Sequence, residues 1–266
     1  MASIYNADDP AAYERSMGRW SRLLAVPFLD FAVGGTTPAS LLDVGCGTGS
    51  LAFAAAERLR GVAITGLDHS DAYVRHARSC AAEPRLRFEQ GDAATLPYGD
   101  AAFDAAVALL VLNFVPDEQR AAREMVRVTR PGGVVAAAVW DFRGGLTFLR
   151  VFLDTAAPLD EGAAALRARQ FSAPFTGPGE FGRAWRAMGL HEVVETSLTI
   201  RAEFASFADY WGPWLGGQGT IGAYICGLPE ERRALIEHHT RLAYLAGGED
   251  GPRSFAATAW AVRGVA

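Results

Sequence analysis

The sequence predicts an α/β protein in which a mostly parallel sheet is covered by helices on both faces. Three observations predict it. An apolar strand runs directly into a Gly-x-Gly-x-Gly turn in LLDVGCGTGS, residues 41–50. Strand and helix patterns then alternate as far as Trp140, which calls for crossover connections and parallel pairing. Near the end, residues 255–263 alternate small and apolar side chains and supply a last, antiparallel strand.

The elements follow in order. After the glycine turn, residues 51–59 are alanine-rich and helical, and 62–67 form the second strand, ending at Asp68. Residues 71–81 make a helix with Tyr73, Val74, Ala77 and Cys80 on one side. Ser70 or Asp71 caps that helix, which leaves Asp68 free. The third strand, 86–89, ends in Gly91-Asp92-Ala93, and the fourth ends at Leu109 and Leu110. Asp117 caps the next helix, where Ala121, Met125 and Val128 form an apolar stripe. Pro131-Gly132-Gly133 ends it before the strand 134–140.

Beyond Trp140, residues 144–169 read as helical and 175–179 as a turn. Glu180 opens a helix that runs to Met188 with Gly189 as its cap, and a strand covers 191–198. Residues 204–252 form a long insertion with an aromatic cluster, Tyr210, Trp211, Trp214 and Tyr224, and a helix over 229–246. The expected organisation is a lead-in over 1–38, a core over 39–203 and 253–266, and a helical cap over 204–252.

The glycine turn is the most informative segment. Glycines spaced this way allow positive φ angles and leave room where a ligand crosses the backbone. A dinucleotide fingerprint would place its third glycine at position 50, which is serine, and Asp43 would repel a pyrophosphate. A zwitterionic amino-acid tail suits the turn better and points to S-adenosylmethionine. Asp68, 19 residues after Gly49, stands at a strand terminus where an acid accepts ribose hydroxyls. A helix cap is the other reading of that acid. Asp92 beside an exposed backbone amide is a pairing able to read an adenine edge.

Together LLDVGCGTG, GLDHS, the GDA-x-x-LP run, FDAAVALLVLNFVPD and RPGGVV resemble the class I S-adenosylmethionine-dependent methyltransferases. The resemblance is narrower still to the small-molecule type 11 group related to the ubiquinone and menaquinone methyltransferases. YERSMGRWSRLLAVPFLDF is similar to the lead-in of that group. The resemblance implies a Rossmann-like seven-stranded sheet with helical cap insertions and S-adenosyl-L-methionine as methyl donor. It implies that Gly45, Cys46 and Gly47 line the methionine moiety and that Asp43 holds its ammonium group. Asp68 would hold the ribose, His69 would cover one adenine face, and Asp92 with Ala93 would read the adenine edge. Backbone at Leu109 and Leu110 would border the sulfonium, with Phe114 close by. Tyr13, Arg19 and Trp20 would close over the donor, with Tyr13 or Arg19 available to its carboxylate. An ordinary docking helix is the other reading of that trio. The sequence departs from the group at Leu109 and Leu110, often polar in relatives, and at Asn113, where many carry His.

Composition narrows the function classes. The net charge is −5 and no basic run occurs, so nucleic acid is not an expected substrate. All 25 basic residues are arginine, which excludes Schiff-base and pyridoxal-phosphate chemistry and suggests a GC-rich bacterial genome. Cys46, Cys80 and Cys226 have no metal-like spacing and read as reduced cytoplasmic thiols, Cys46 as a small turn residue. No histidine pair has i, i+4 spacing, so no metal is expected, and no G-x-S-x-G elbow occurs. No secretory apolar run follows Met1. The uncharged stretch 210–229 is broken by glycines, Pro213, Gln218 and Thr220 and reads poorly as a membrane helix.

Trp140, Asp141 and Phe142, with Phe148 and the 210–214 cluster, are either an apolar acceptor pocket or the cap's own core. The expected reaction is in-line displacement at the sulfonium methyl by a small, aromatic or lipophilic acceptor. Orientation supplies about 7–11 kcal/mol and a general base roughly 10² to 10⁴ in rate, so a base is optional. Asp141 and His191 are the weak candidates for one, and no catalytic residue is assigned. A non-catalytic S-adenosylmethionine-binding sensor or partner protein is the alternative, and a nicotinamide oxidoreductase is disfavoured by Ser50 and Asp43.

Overall fold

The computed structural model describes residues 8–266, so the first seven residues of the expected lead-in lie outside the described residues. Helix α1 (Pro10–Tyr13) opens on Asp9, whose carboxylate accepts the Ala12 amide at 3.0 Å. A π-helical turn (Glu14–Gly18) joins it to α2 (Arg19–Val33). In α2 the side chains of Trp20, Leu24, Ala25, Phe28, Leu29, Ala32 and Val33 are buried at intervals of three and four, which lays one face of the helix on the sheet.

The core then alternates as β1 (Ser40–Val44), α3 (Ser50–Arg58), β2 (Ala63–Asp68), α4 (Asp71–Cys80), β3 (Leu86–Gln90) and β4 (Phe103–Leu109). It continues with α5 (Glu118–Val128), β5 (Thr129–Trp140), α6 (Thr147–Ala156), α7 (Glu161–Phe171) and α8 (Glu180–Ala187). Strand β6 (His191–Phe204) leads to the short α9 (Phe207–Trp211), α10 (Gly219–Cys226) and α11 (Glu230–Leu245), and β7 (Arg253–Val265) closes the chain.

The seven strands form one sheet in the order β3-β2-β1-β4-β5-β7-β6. β1 through β5 pair in parallel, and β7 inserts antiparallel between β5 and β6. This is the Rossmann-like, mostly parallel architecture expected. The central strands are buried on both faces, with Leu41, Leu42, Ala105, Ala106, Val107, Ala108 and the run 135–139 almost fully enclosed. That is why they read as continuous apolar runs rather than alternating ones. Among the described residues no helix is long and apolar enough to cross a membrane.

Boundaries differ from the sequence reading in three places. β5 begins at Thr129, because the backbone of Pro131-Gly132-Gly133 is carried within the strand while its pairing with β4 shifts register between Phe103 and Ala105. The expected helix over 144–169 is two helices. Asp160 starts the second by accepting the Ala163 amide, just after Pro158. β6 runs six residues past Leu198, because β7 offers a ladder partner all the way from Val265 to Arg253. The caps proposed at Ser70 and Asp117 form, through the amides of Tyr73 and Arg120.

Helix α8 lacks a side-chain cap of its own, since its first position follows Gly179. Glu195, reaching across from β6, accepts the amides of both Gly179 and Gly182. Replacing Glu195 with Ala orphans both amides and is expected to lower stability by about 1–2 kcal/mol, read as a lower urea midpoint with unchanged slope.

Candidate active site

A cavity of about 420 Å³ opens where β1 and β4 lie side by side and the strand order reverses, at the carboxyl ends of the strands. Each residue singled out from the sequence as a donor-site candidate lines it: Asp43, Gly45, Cys46 and Gly47 from β1 and its turn, and Asp68 and His69 from the end of β2. Asp92 and Ala93 follow β3, Leu109, Leu110 and Phe114 follow β4, and Tyr13, Arg19 and Trp20 come from the lead-in.

The glycine turn is built from left-handed backbone, with φ of 71° at Gly45, 55° at Gly47 and 97° at Gly49. The amides of Gly45 and Cys46 both donate to the Leu67 carbonyl, at 2.7 and 3.0 Å, which ties the turn to β2. A side chain at Gly45 would collide with Val111, whereas a Cβ at Gly47 would meet nothing nearer than Tyr73, 4.0 Å away. The space beside Gly47 is therefore open ground on the cavity wall.

Asp68 is not free, contrary to the sequence reading. Its two oxygens accept the Gly47 amide and the Ser70 amide, each at 2.9 Å, while Ser70 caps α4 as expected. Each carboxylate oxygen has a second lone pair, so the group can still accept hydroxyls from a ligand. His69 Nδ1 lies 3.5 Å from Asp68, and that carboxylate raises the His69 pKa above its ordinary value.

Asp43 is the unusual group. It is 1% exposed, and neither carboxylate oxygen has a hydrogen-bond partner among the described residues. Burial, reinforced by the Asp68 charge, pushes its pKa up to about 8, with the nearby Ala52 amide offsetting a part. Buried carboxylates are ordinarily paired. A donor carrying an ammonium group supplies the missing cation, and the open cradle at Gly47 supplies the room, so these residues fit S-adenosylmethionine. Burial and the same two acids hold the Cys46 thiol protonated, which removes it as a nucleophile.

The lead-in trio is already engaged. Arg19 pairs with Asp209 at 2.9 Å and stacks over Trp20 and Phe204, so its charge is matched within the protein. The Tyr13 hydroxyl bonds Ser21 at 2.9 Å and its ring meets Tyr73. Glu14 accepts the Thr48 hydroxyl at 2.5 Å, latching the lead-in onto the glycine turn. That contact carried no signal in the sequence.

The cavity continues into an apolar lobe bounded by Phe114, Trp140, Phe142, Phe148, Phe204 and Trp214. The aromatic insertion divides. Tyr210 and Trp214 line the lobe, whereas Trp211 is 3% exposed and packs on Phe152, Phe207 and Trp214 as cap core. Tyr224 also lies outside the wall and donates to Asp160 at 2.7 Å. Neither candidate base is present. Asp141 accepts the amides of Arg143 and Gly144, and His191 is exposed at the start of the edge strand β6. Gln170, Thr220 and Phe204 were not singled out from sequence and do line the cavity. Among the described residues no cluster of three His, Cys, Asp or Glu could hold a metal.

Comparison with known proteins agrees with this geometry. The family model of a methyltransferase domain matches residues 42–137. An uncharacterised protein of Mycobacterium tuberculosis, Rv1405c, is 30% identical over 79% of this chain and 78% of its own. An uncharacterised methyltransferase of a Mycobacterium species (strain KMS) is 32% identical over 67% of this chain and 69% of its own. The 27-O-demethylrifamycin SV methyltransferase of Amycolatopsis mediterranei is 41% identical over 36% of each chain. Among solved structures, phosphoethanolamine N-methyltransferase 2 of Haemonchus contortus in complex with S-adenosyl-L-methionine shares the fold at a TM-score of 0.58 and 14% identity. That match covers all of this chain and 60% of the other.

The raised Asp43 pKa has a signed consequence for the ligand-free protein. Between the unfolded value of 3.8 and about 8, the folded state keeps a proton that the unfolded state has lost. Stability is therefore lost as pH rises through that window and levels above it. Replacing Asp43 with Asn is expected to remove this dependence, so urea midpoints of the two proteins agree most closely at low pH and diverge towards pH 8. A constant difference across the range refutes a protonated Asp43.

Proposed function

The chain belongs to the class I S-adenosylmethionine-dependent methyltransferases, and from that premise we propose that it methylates an apolar small molecule held in the aromatic lobe. The observation that carries this reading is continuity: the wall around Asp43, Asp68 and Asp92 and the wall of aromatic side chains belong to one cavity.

When bound, S-adenosylmethionine supplies a methyl group already activated on a sulfonium centre. The protein's part is to hold, align and dry. Asp43 would meet the ammonium group, Gly45, Cys46 and Gly47 would line the methionine chain, and Asp68 would accept the ribose hydroxyls. His69, Asp92 and Ala93 would border the adenine, while Leu109, Leu110 and Phe114 stand between donor and acceptor. Tyr13 and Trp20 would close the donor from the lead-in side, with Arg19 stiffening that closure through Asp209. In this division residues 39–203 and 253–266 carry the donor site, and the described part of the lead-in, 8–38, and the segment 204–252 close it and shape the acceptor lobe. Phe142, Phe148 and Trp140 add to the lobe from the core.

Transfer is read as in-line displacement without a dedicated base. Asp141 and His191 are outside the cavity, and alignment alone can supply about 7–11 kcal/mol. The apolar lobe favours a lipophilic molecule, a reading supported by the partial likeness to a methyltransferase whose name gives 27-O-demethylrifamycin SV. The deciding experiment is release of S-adenosylhomocysteine from S-adenosylmethionine in the presence of hydroxylated polycyclic acceptors. Release with charged, hydrophilic acceptors alone overturns the proposal.

Two variants separate the parts of the site. Asp68→Asn is expected to weaken S-adenosylmethionine binding by about 1.5–3 kcal/mol, the worth of hydrogen bonds to a charged group, measured by calorimetry. Unchanged affinity in a folded protein takes Asp68 out of the donor site. Trp214→Ala is expected to leave donor affinity near wild type and slow methyl transfer. Trp211→Ala instead costs about 3–5 kcal/mol of stability, because it empties the cap core.

A further inference from the structure

Gln170 places a buried amide in the mostly aromatic wall of the lobe. It sits near the end of α7, is 8% exposed and lines the cavity, and its Nε2 donates to the Thr220 hydroxyl on α10 at 3.0 Å. Thr220 lines the cavity too. Burying an amide is unfavourable unless its hydrogen-bonding groups are matched, and a primary amide brings two N–H donors and a carbonyl oxygen with two lone pairs. The bond to Thr220 engages one donor. It leaves the Gln170 carbonyl oxygen, the second N–H and the Thr220 hydroxyl hydrogen for a molecule in the lobe.

Other polar groups of that region are only partly engaged: Arg19 Nε and Trp140 Nε1 are buried donors without a hydrogen-bond partner among the described residues. Gln218 has its carbonyl oxygen taken by the Tyr73 hydroxyl at 3.4 Å, the Tyr210 hydroxyl donates to the Phe148 carbonyl at 2.8 Å, and Arg19 is paired with Asp209. The acids Asp43, Asp68 and Asp92 stand at the carboxyl ends of the strands, in the part of the cavity assigned to the donor. An ionised substituent in the lobe would therefore be buried without a counter-charge, which is costly, whereas a hydroxyl or carbonyl would find a ready partner.

We propose that Gln170 and Thr220 are the specificity residues of the acceptor site, selecting an uncharged, largely apolar molecule that carries a hydroxyl or carbonyl group against the wall of α7 and α10. This deepens the proposed function and rests on its assignment of the lobe to the acceptor.

The test uses the full chain saturated with S-adenosylhomocysteine and two probes of similar shape, 2-naphthol and 2-methylnaphthalene, titrated by tryptophan fluorescence. Wild type is expected to bind 2-naphthol about tenfold more tightly, the worth of a well-made neutral hydrogen bond. Gln170→Leu is expected to bring that ratio close to one without weakening 2-methylnaphthalene. Thr220→Val, which removes the hydroxyl alone, lowers the ratio and guards against a folding defect in the first variant, with melting temperature as the check on both. A wild-type ratio near one, or a ratio unchanged in both variants, overturns the specificity role while leaving the acceptor lobe standing. Binding of S-adenosylhomocysteine with no binding of either probe overturns the lobe assignment itself and this inference with it.

Discussion

The carboxylate of Asp68 fixes three pieces of backbone that the rest of the site is built around. It ends β2, accepts the Gly47 amide from the turn after β1, and accepts the Ser70 amide at the start of α4. The left-handed turn is thereby held open on its cavity side, where Gly47 has no close protein neighbour. Hydrogen bonds to an ionised acceptor are about twice as strong as neutral ones, so a single side chain can set the turn firmly. Asp43 is buried without a hydrogen-bond partner, and its pKa is raised by that burial and, through space, by the neighbouring Asp68. A cationic ligand relieves both conditions, and it does so at a place where the protein cannot relieve them itself.

A second set of contacts closes the cavity from outside the sheet. Glu14 ties the π-helical turn of the lead-in to Thr48 beside the glycine turn, and Arg19 ties the first turn of α2 to Asp209 in α9. The guanidinium also lies over Trp20 and Phe204, so the pairing is packed into the aromatic wall rather than standing in solvent. Lead-in and insertion therefore form one roof although 190 residues separate Arg19 from Asp209. In the proposed transfer, which rests on alignment more than on acid or base chemistry, this roof would keep water from the bound molecules.

Much of this was legible in the chain because it depends on near neighbours. The apolar run into Gly-x-Gly-x-Gly, the acid at the end of β2 and the caps at Ser70 and Asp117 are local matters of backbone geometry and helix-end hydrogen bonding. The pairing of Asp68 with the Gly47 amide was not legible, because it depends on the register between β1 and β2. Nor could periodicity separate Trp211 from Trp214. The two stand three residues apart in one aromatic cluster and both touch Phe152, and only the stacking of Phe207 on Trp211 and the place of Trp214 on the cavity wall tell them apart.

Strand alternation, glycine spacing and strand-end acids each act within a few residues, so the α/β class, the glycine turn and the acids Asp43, Asp68 and Asp92 could be read from the chain. What the aromatic lobe is made of is settled only by the packing of distant elements. Its wall joins side chains from the lead-in, the ends of β4 and β5, α6, α7, β6 and α10. A residue such as Gln170 acquires a meaning only when α7 and α10 pack together. Until then it is one glutamine on an ordinary helix, since a contact between elements 50 residues apart leaves no periodic trace in either.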